Sequence, residues 1–126
     1  MNFKVHKNAR IDRLGEIDLD SVQDKLSELR LSVVNNRSKR GVIRFQSHCC
    51  YLVRDEGDAI KFLTDFKKEK LAGFYIYEST TSEFYKWFFD QSHSTRSTDG
   101  VKHYLVLTMN YIIDVIGYED PDYIAE

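Results

Sequence analysis

The sequence predicts an α+β fold, a mainly antiparallel sheet with about three helices packed on it. Three observations carry that prediction. Short runs rich in β-branched and aromatic residues alternate with longer amphipathic stretches. The last two apolar runs, "VKHYLVLT" and "YIIDVIGY", are separated only by Met109 and Asn110, a connection short enough to require antiparallel pairing. A length of 126 residues with one proline describes a single compact domain over 1–126 without long linkers.

In chain order, "NFKVHK" (2–7) sets Phe3 and Val5 against polar neighbours and reads as a short strand. "DLDSVQDKLSELRLSVVNN" places Val22, Leu26, Leu29 and Val33 at helical spacing behind Asp18, Asp20 and Ser21, which predicts a helix from about Asp20 to Asn35. "NNRSKRG" (35–41) is an exposed basic loop, and "GVIRFQSHCCYLVRD" (41–55) is either one long strand or a hairpin turning near Gln46–His48. A second helix follows in "DEGDAIKFLTDFKKEK", with Ala59, Phe62, Leu63 and Phe66 on one face. "AGFYIYES" (72–79) is a strand. "TTSEFYKWFFDQ" is a third helix, opened by a capping box of Thr80 and Glu83, in which Phe84, Trp87 and Phe88 share one side while Tyr85 and Phe89 are left for a second contact or a partner. The polar loop 92–100 and the closing strand pair, with Asn110 taking the left-handed conformation of a tight turn, complete the order β-α-β-α-β-α-β-β.

Composition narrows the function classes. Cys49 and Cys50 are adjacent, so on a strand they point to opposite faces and cannot readily pair or share a metal; they read as small packed hydrophobes. His48 beside them lacks the second cluster that a zinc site needs. The glycines never gather into a phosphate-cradling loop. No cofactor is expected. No apolar run approaches the length of a membrane span, and with no signal peptide the chain reads as cytoplasmic, reduced and unattached to membrane. The basic cluster at 35–41 is small in an otherwise acidic chain, which makes nucleic acid an unlikely partner. His93 in "QSHSTRSTDG" and His103 ten residues on suggest an alternative, a small hydrolase or phosphotransferase.

Charge is segregated along the chain. Residues 1–70 hold 15 Lys/Arg against 11 Asp/Glu, whereas residues 71–126 hold 3 against 9. The closing stretch "NYIIDVIGYEDPDYIAE" contains no cation at all. Either Lys and Arg of the N-terminal half fold back on it, or it forms a one-signed patch that steers a basic partner. Asp114 is its anomaly, because strict alternation puts it on the face of Ile112 and Ile116; it must be paired, with Lys102 or Arg44, or lie at an exposed edge. Beyond Gly117 the chain reads as a surface strip leaving the sheet at Pro121. The expected partner-binding residues are therefore Asp114, Tyr118, Glu119, Asp120, Asp122 and Tyr123.

A small domain with an aromatic excess, a segregated acidic end and no catalytic signature resembles the immunity proteins of bacterial polymorphic-toxin and contact-dependent growth-inhibition systems. The resemblance is one of general character over the whole chain, and no family residue carries over. It implies a protein that binds a cognate toxin domain, commonly a nuclease with a basic cleft, and blocks it by complementary charge. A phage or plasmid antagonist of a host defence complex would share these features.

Overall fold

Alternation of buried and exposed side chains decides most of the architecture. The computed structural model describes residues 3–92 and 99–126. The elements are β1 (Lys4–Val5), α1 (Ala9–Asp12), β2 (Ile17–Asp24), β3 (Glu28–Asn35), β4 (Arg40–Gln46) and β5 (His48–Asp55), then a 3-10 turn (Glu56–Ala59) leading into α2 (Ile60–Phe66). β6 (Ile76–Ser79), α3 (Glu83–Gln91), β7 (Lys102–Leu107), β8 (Tyr111–Gly117) and β9 (Asp122–Ala125) follow. The described strands form two antiparallel sheets, one ordered β1-β6-β7-β8-β5 and the other β2-β3-β4-β9. The α+β class with an antiparallel framework stands, but the strands divide into two stacked layers.

The principal core lies between the sheets. Leu29, Leu31, Ile43 and Phe45 from one meet Ile76, Tyr104, Val106, Ile113 and Val115 from the other. Burial of each such side chain contributes about 1.5–3 kcal/mol relative to exposure. Residues of β6, β7 and β8 that point the other way are covered by the helices: Tyr77, Leu105, Leu107 and Ile112 pack with Ala59 and Phe66 beside α2. Ile116 and Val101 pack with Tyr85 of α3. Being apolar on both faces, β7 and β8 are buried almost end to end.

Four expectations change. The predicted helix at 20–35 is the β2–β3 hairpin, because Leu29, Leu31 and Val33 are buried at every second position while their neighbours are only partly covered. Period two overrides the helical stripe, and Leu26 falls at the hairpin tip, 87% exposed with φ +69°. Residues 41–55 are neither one strand nor a hairpin: β4 and β5 belong to different sheets, and the chain crosses between them at Ser47, φ +57°. Ser47 is tied on both sides, its N–H donating to Ser27 and its carbonyl accepting from Tyr118.

At the β7–β8 turn, Asn110 is not left-handed, since the non-glycine positive-φ residues described are Leu26, Ser38 and Ser47. Its amide side chain instead bonds both the N–H and the C=O of Leu19, at 2.9 and 3.0 Å, pinning the turn of one sheet to an edge of the other. The segment after Pro121 is not a surface strip. It returns as β9 and pairs with β4, placing Gly41 opposite Ala125 and Tyr123 in the core.

Candidate functional site

The C-terminal carboxylates are largely satisfied within the fold. Asp122 accepts two bonds from Arg44, at 3.0 and 2.6 Å, and that guanidinium holds its carboxyl below the usual range. Asp120 accepts from the Tyr104 hydroxyl and lies 3.8 Å from the Lys102 ammonium. Asp114 is 2% exposed and Tyr123 is 7% exposed, so neither is available to a partner. Tyr118 and Glu119 remain at the surface. Cations from the N-terminal half do fold back: Arg44 onto Asp122 and Arg54 onto Asp114. The expected pairing of Asp114 with Lys102 or Arg44 is replaced because β5 lies beside β8 with Leu52 opposite Asp114, which brings Arg54 within reach from the same face.

The fold assembles its most organised polar group around that carboxylate. Asp114 Oδ2 accepts from Arg54 Nη2 at 2.9 Å, and Oδ1 lies 2.8 Å from His103 Nε2. His103 Nδ1 lies 2.6 Å from Ser82 Oγ, which also accepts from the Tyr85 N–H at 3.1 Å. One proton assignment satisfies every contact. His103 donates from Nε2 to the carboxylate, Ser82 donates its hydroxyl proton to Nδ1, and the Ser82 oxygen accepts the helix amide. Ser82, not Thr80, is thus the N-cap of α3. The rings of Phe3 and Phe84 meet His103 edge-on at 5.3 and 5.1 Å. Arg54 lies over Phe62 at 4.8 Å, and its buried Nε has no partner.

A cleft of about 180 Å³ opens onto this chain, lined by Phe3, Leu52, Arg54, Phe62, Ser82, Glu83, Phe84, His103 and Asp114. Leu52 and Phe84 also border a shallow apolar depression of about 340 Å³ completed by Cys50, Tyr51 and Trp87. Trp87 is 52% exposed and stacks on Phe84, ring centroids 5.6 Å apart at 10°. On α3 the inward position belongs to buried Tyr85, one of the two aromatics expected to cover a second contact or a partner, while Trp87 on the Phe84–Trp87–Phe88 side is exposed. Helical spacing identifies which residues share a side; which side meets the sheet follows from the Ser82 anchor.

A second polar cluster sits at the β1–β6 edge. Glu78 accepts from Lys102 and also has His6 Nδ1 at 2.7 Å and Lys4 Nζ at 3.3 Å. Ligand atoms of His6, Glu78 and Asp120 fall within 4.8 Å of one another, the spacing of a metal cluster. The Lys4 and Lys102 ammoniums already compensate Glu78, so the group is electrostatically complete without a cation. Burial pushes the Glu78 carboxyl up, but His6, Lys102 and Lys4 together outweigh it and the net displacement is downward.

A depressed folded-state value contributes stability above the ordinary carboxylate range and loses it as pH falls through and below that range. Thermal unfolding from pH 7 to 2 is therefore expected to show a loss of Tm that begins in the ordinary glutamate range and continues beneath it, with a shallower acid limb in Glu78→Gln. An unchanged limb in that variant would remove Glu78 as its source.

The thiols of Cys49 and Cys50 are half-buried, form no disulfide and pack beside the Tyr85–Ile116 cluster, as small hydrophobes do. Nearby, His48 Nε2 lies 3.0 Å from Asp24 Oδ1. His93 lies outside the described residues, so the structure brings together only the His103 half of the predicted histidine pair. Arg10 of α1 and Arg13 at its C-cap join Arg37, Lys39 and Arg40 around a groove of about 620 Å³. That groove belongs to α1 and the β3–β4 turn, whereas the Trp87 ridge lies in the layer covering the opposite face of the β7–β8 sheet.

The architecture defines a class of protein, an α+β sandwich with helices on one outer face and an aromatic ridge beside a polar-floored cleft. Compared with known protein families, curated proteins and solved structures, the chain matches none. No described helix is long and apolar enough to cross a membrane.

Proposed function

We propose that this chain is an immunity-type inhibitor that binds and neutralises a cognate toxin domain through the surface formed by α3 and the edge strand β5. The observation that carries the reading is the ridge of Trp87 stacked on Phe84 beside Leu52, which is 43% exposed. A half-exposed tryptophan flanked by further apolar side chains is the composition of a binding hot spot. Glu83, Lys86, Asp90 and Gln91 are the other exposed positions of α3, which gives the ridge a rim whose charged groups are mostly acidic. Tyr118 sits beside Ser47 at the start of β5, and Leu52 lies five residues further along it, about 17 Å at strand rise. Ridge and tail thus fall within one standard-sized interface of about 800 Å² per partner.

The mechanism combines an apolar anchor with acids that steer a basic nuclease-like cleft. It moves the expected contact surface from the C-terminal strip to the ridge, with Tyr118 and Glu119 at the margin. The test is capture with the folded chain as bait, followed by titration calorimetry on the recovered toxin domain. A one-to-one complex is expected, with toxin activity lost on binding. Trp87→Ala should weaken it by about 2 kcal/mol, roughly 30-fold, without lowering Tm. Added salt should slow association. Unchanged affinity in Trp87→Ala would exclude the ridge, and a complex that leaves the toxin active would exclude inhibition.

A further inference from the structure

Ser82, His103 and Asp114 are 4%, 2% and 2% exposed, yet all three border the 180 Å³ cleft. Their order, hydroxyl to imidazole to carboxylate at 2.6 and 2.8 Å, is that of a nucleophile, its base and the group that orients the base. The two imidazole nitrogens trade places relative to the serine-protease arrangement, with no change in the proton's route. Ser82 also stands where α3 begins, and the first-turn amides of Glu83 and Phe84 have no carbonyl partner within the helix. Those two residues line the same cleft, so donors for a developing oxyanion lie beside the hydroxyl. Phe3, Phe62 and Leu52 supply an apolar wall, and the unpartnered Arg54 Nε offers a buried donor.

We propose that Ser82 is a nucleophile and that this cleft hydrolyses short-chain carboxylic esters. A volume below the roughly 300 Å³ at which sites for drug-sized ligands begin limits the acyl group to a few carbons. Ser82 Oγ attacks the ester carbonyl carbon as its proton passes to His103 Nδ1. The bond to the alcohol oxygen breaks, and His103 returns the proton to that leaving oxygen, giving acyl-Ser82 and the alcohol. Water then attacks the acyl carbon, delivers a proton to His103, and releases the acid as Ser82 recovers the proton. Ester and water are consumed; acid and alcohol are formed. Asp114, held by Arg54, is a positioning residue that keeps the His103 Nε2–H in place and Nδ1 free to accept.

This inference goes beyond the inhibitory reading and does not rest on it. The full chain is treated with a small alkyl fluorophosphonate and the adduct is mapped by peptide mass spectrometry, in parallel with p-nitrophenyl butyrate hydrolysis. One phosphonyl group on Ser82 is expected. Ser82→Gly, chosen because glycine is tolerated at helix N-caps, should abolish labelling and cut turnover at least about 100-fold. Asp114→Asn should lower kcat with KM within about twofold of the parent, a split that a purely structural role would not produce. A folded parent chain with no adduct at Ser82, or turnover that survives Ser82→Gly, overturns the proposal. Trp87→Ala separates the two readings, since it weakens toxin binding and leaves Ser82 labelling intact.

Discussion

Asp114→Ala is expected to lower the unfolding free energy by about 3–5 kcal/mol, among the largest effects of any single substitution in this chain. Among the described residues this carboxylate is the one anion paired with both His103, whose side chain is 2% exposed, and Arg54, whose side chain is 27% exposed. Removing it leaves the His103 N–H facing apolar neighbours and strands a guanidinium whose Nε already lacks a partner. Urea unfolding should show the midpoint falling with an unchanged slope, and Tm should drop by more than about 10 °C. The double variant Asp114→Ala, Arg54→Met should cost less than the two single changes added together, because each removes the charge that makes the other's loss expensive. A loss below about 1 kcal/mol would mean that the chain is hydrated, and additive single effects would mean that the pair is not coupled.

Gly41→Ala is expected to cost about 2–3 kcal/mol by overpacking. A methyl group at this position would fall inside the Tyr123 phenol, 2.6 Å from its Cε1, and both residues are fixed by the β4–β9 ladder. Tyr123 can make room only by leaving the core beneath Arg10, whose guanidinium lies 5.7 Å from the ring centre. The check is a double-mutant cycle by denaturant unfolding. In a Tyr123→Ala background the Gly41→Ala change should be close to neutral. If it is equally costly in both backgrounds, the ring is not the obstacle and the glycine is required for some other reason.

Much of the helical layer was legible in the sequence. The apolar face of Ala59, Phe62, Leu63 and Phe66 and the closing strand pair depend on residues near one another in the chain. The misread segment is instructive. Val22, Leu26, Leu29 and Val33 satisfy a helical period, while Leu29, Leu31 and Val33 satisfy a strand period. Only a second sheet waiting to cover the alternate face could choose between them. Of the candidate site, His103 and the odd placement of Asp114 are visible in the sequence, which leaves Asp114 either paired or at an exposed edge. His103 reaches Asp114 across the closing β7–β8 pair, whereas Arg54 reaches it because β5 pairs with β8, which local sequence does not encode.

The C-terminal strip divides in the same way. Its lack of cations is a property of composition, and its tyrosines and carboxylates were sequence-evident candidates for contact. Whether they face a partner or the protein itself depended on where Pro121 sent the chain. Because β9 adds to β4, Tyr123 is buried and Asp122 meets Arg44, and the exposed aromatic surface passes to Trp87. The sequence alone determined the α+β class, the apolar periods and the charge segregation, all of which follow from side-chain chemistry along a local stretch. The tertiary structure alone decided the division into two sheets, the Ser82–His103–Asp114–Arg54 chain and the identity of the exposed ridge. These are pairings between distant segments, selected by which combination buries the most apolar surface while leaving the fewest polar groups unsatisfied.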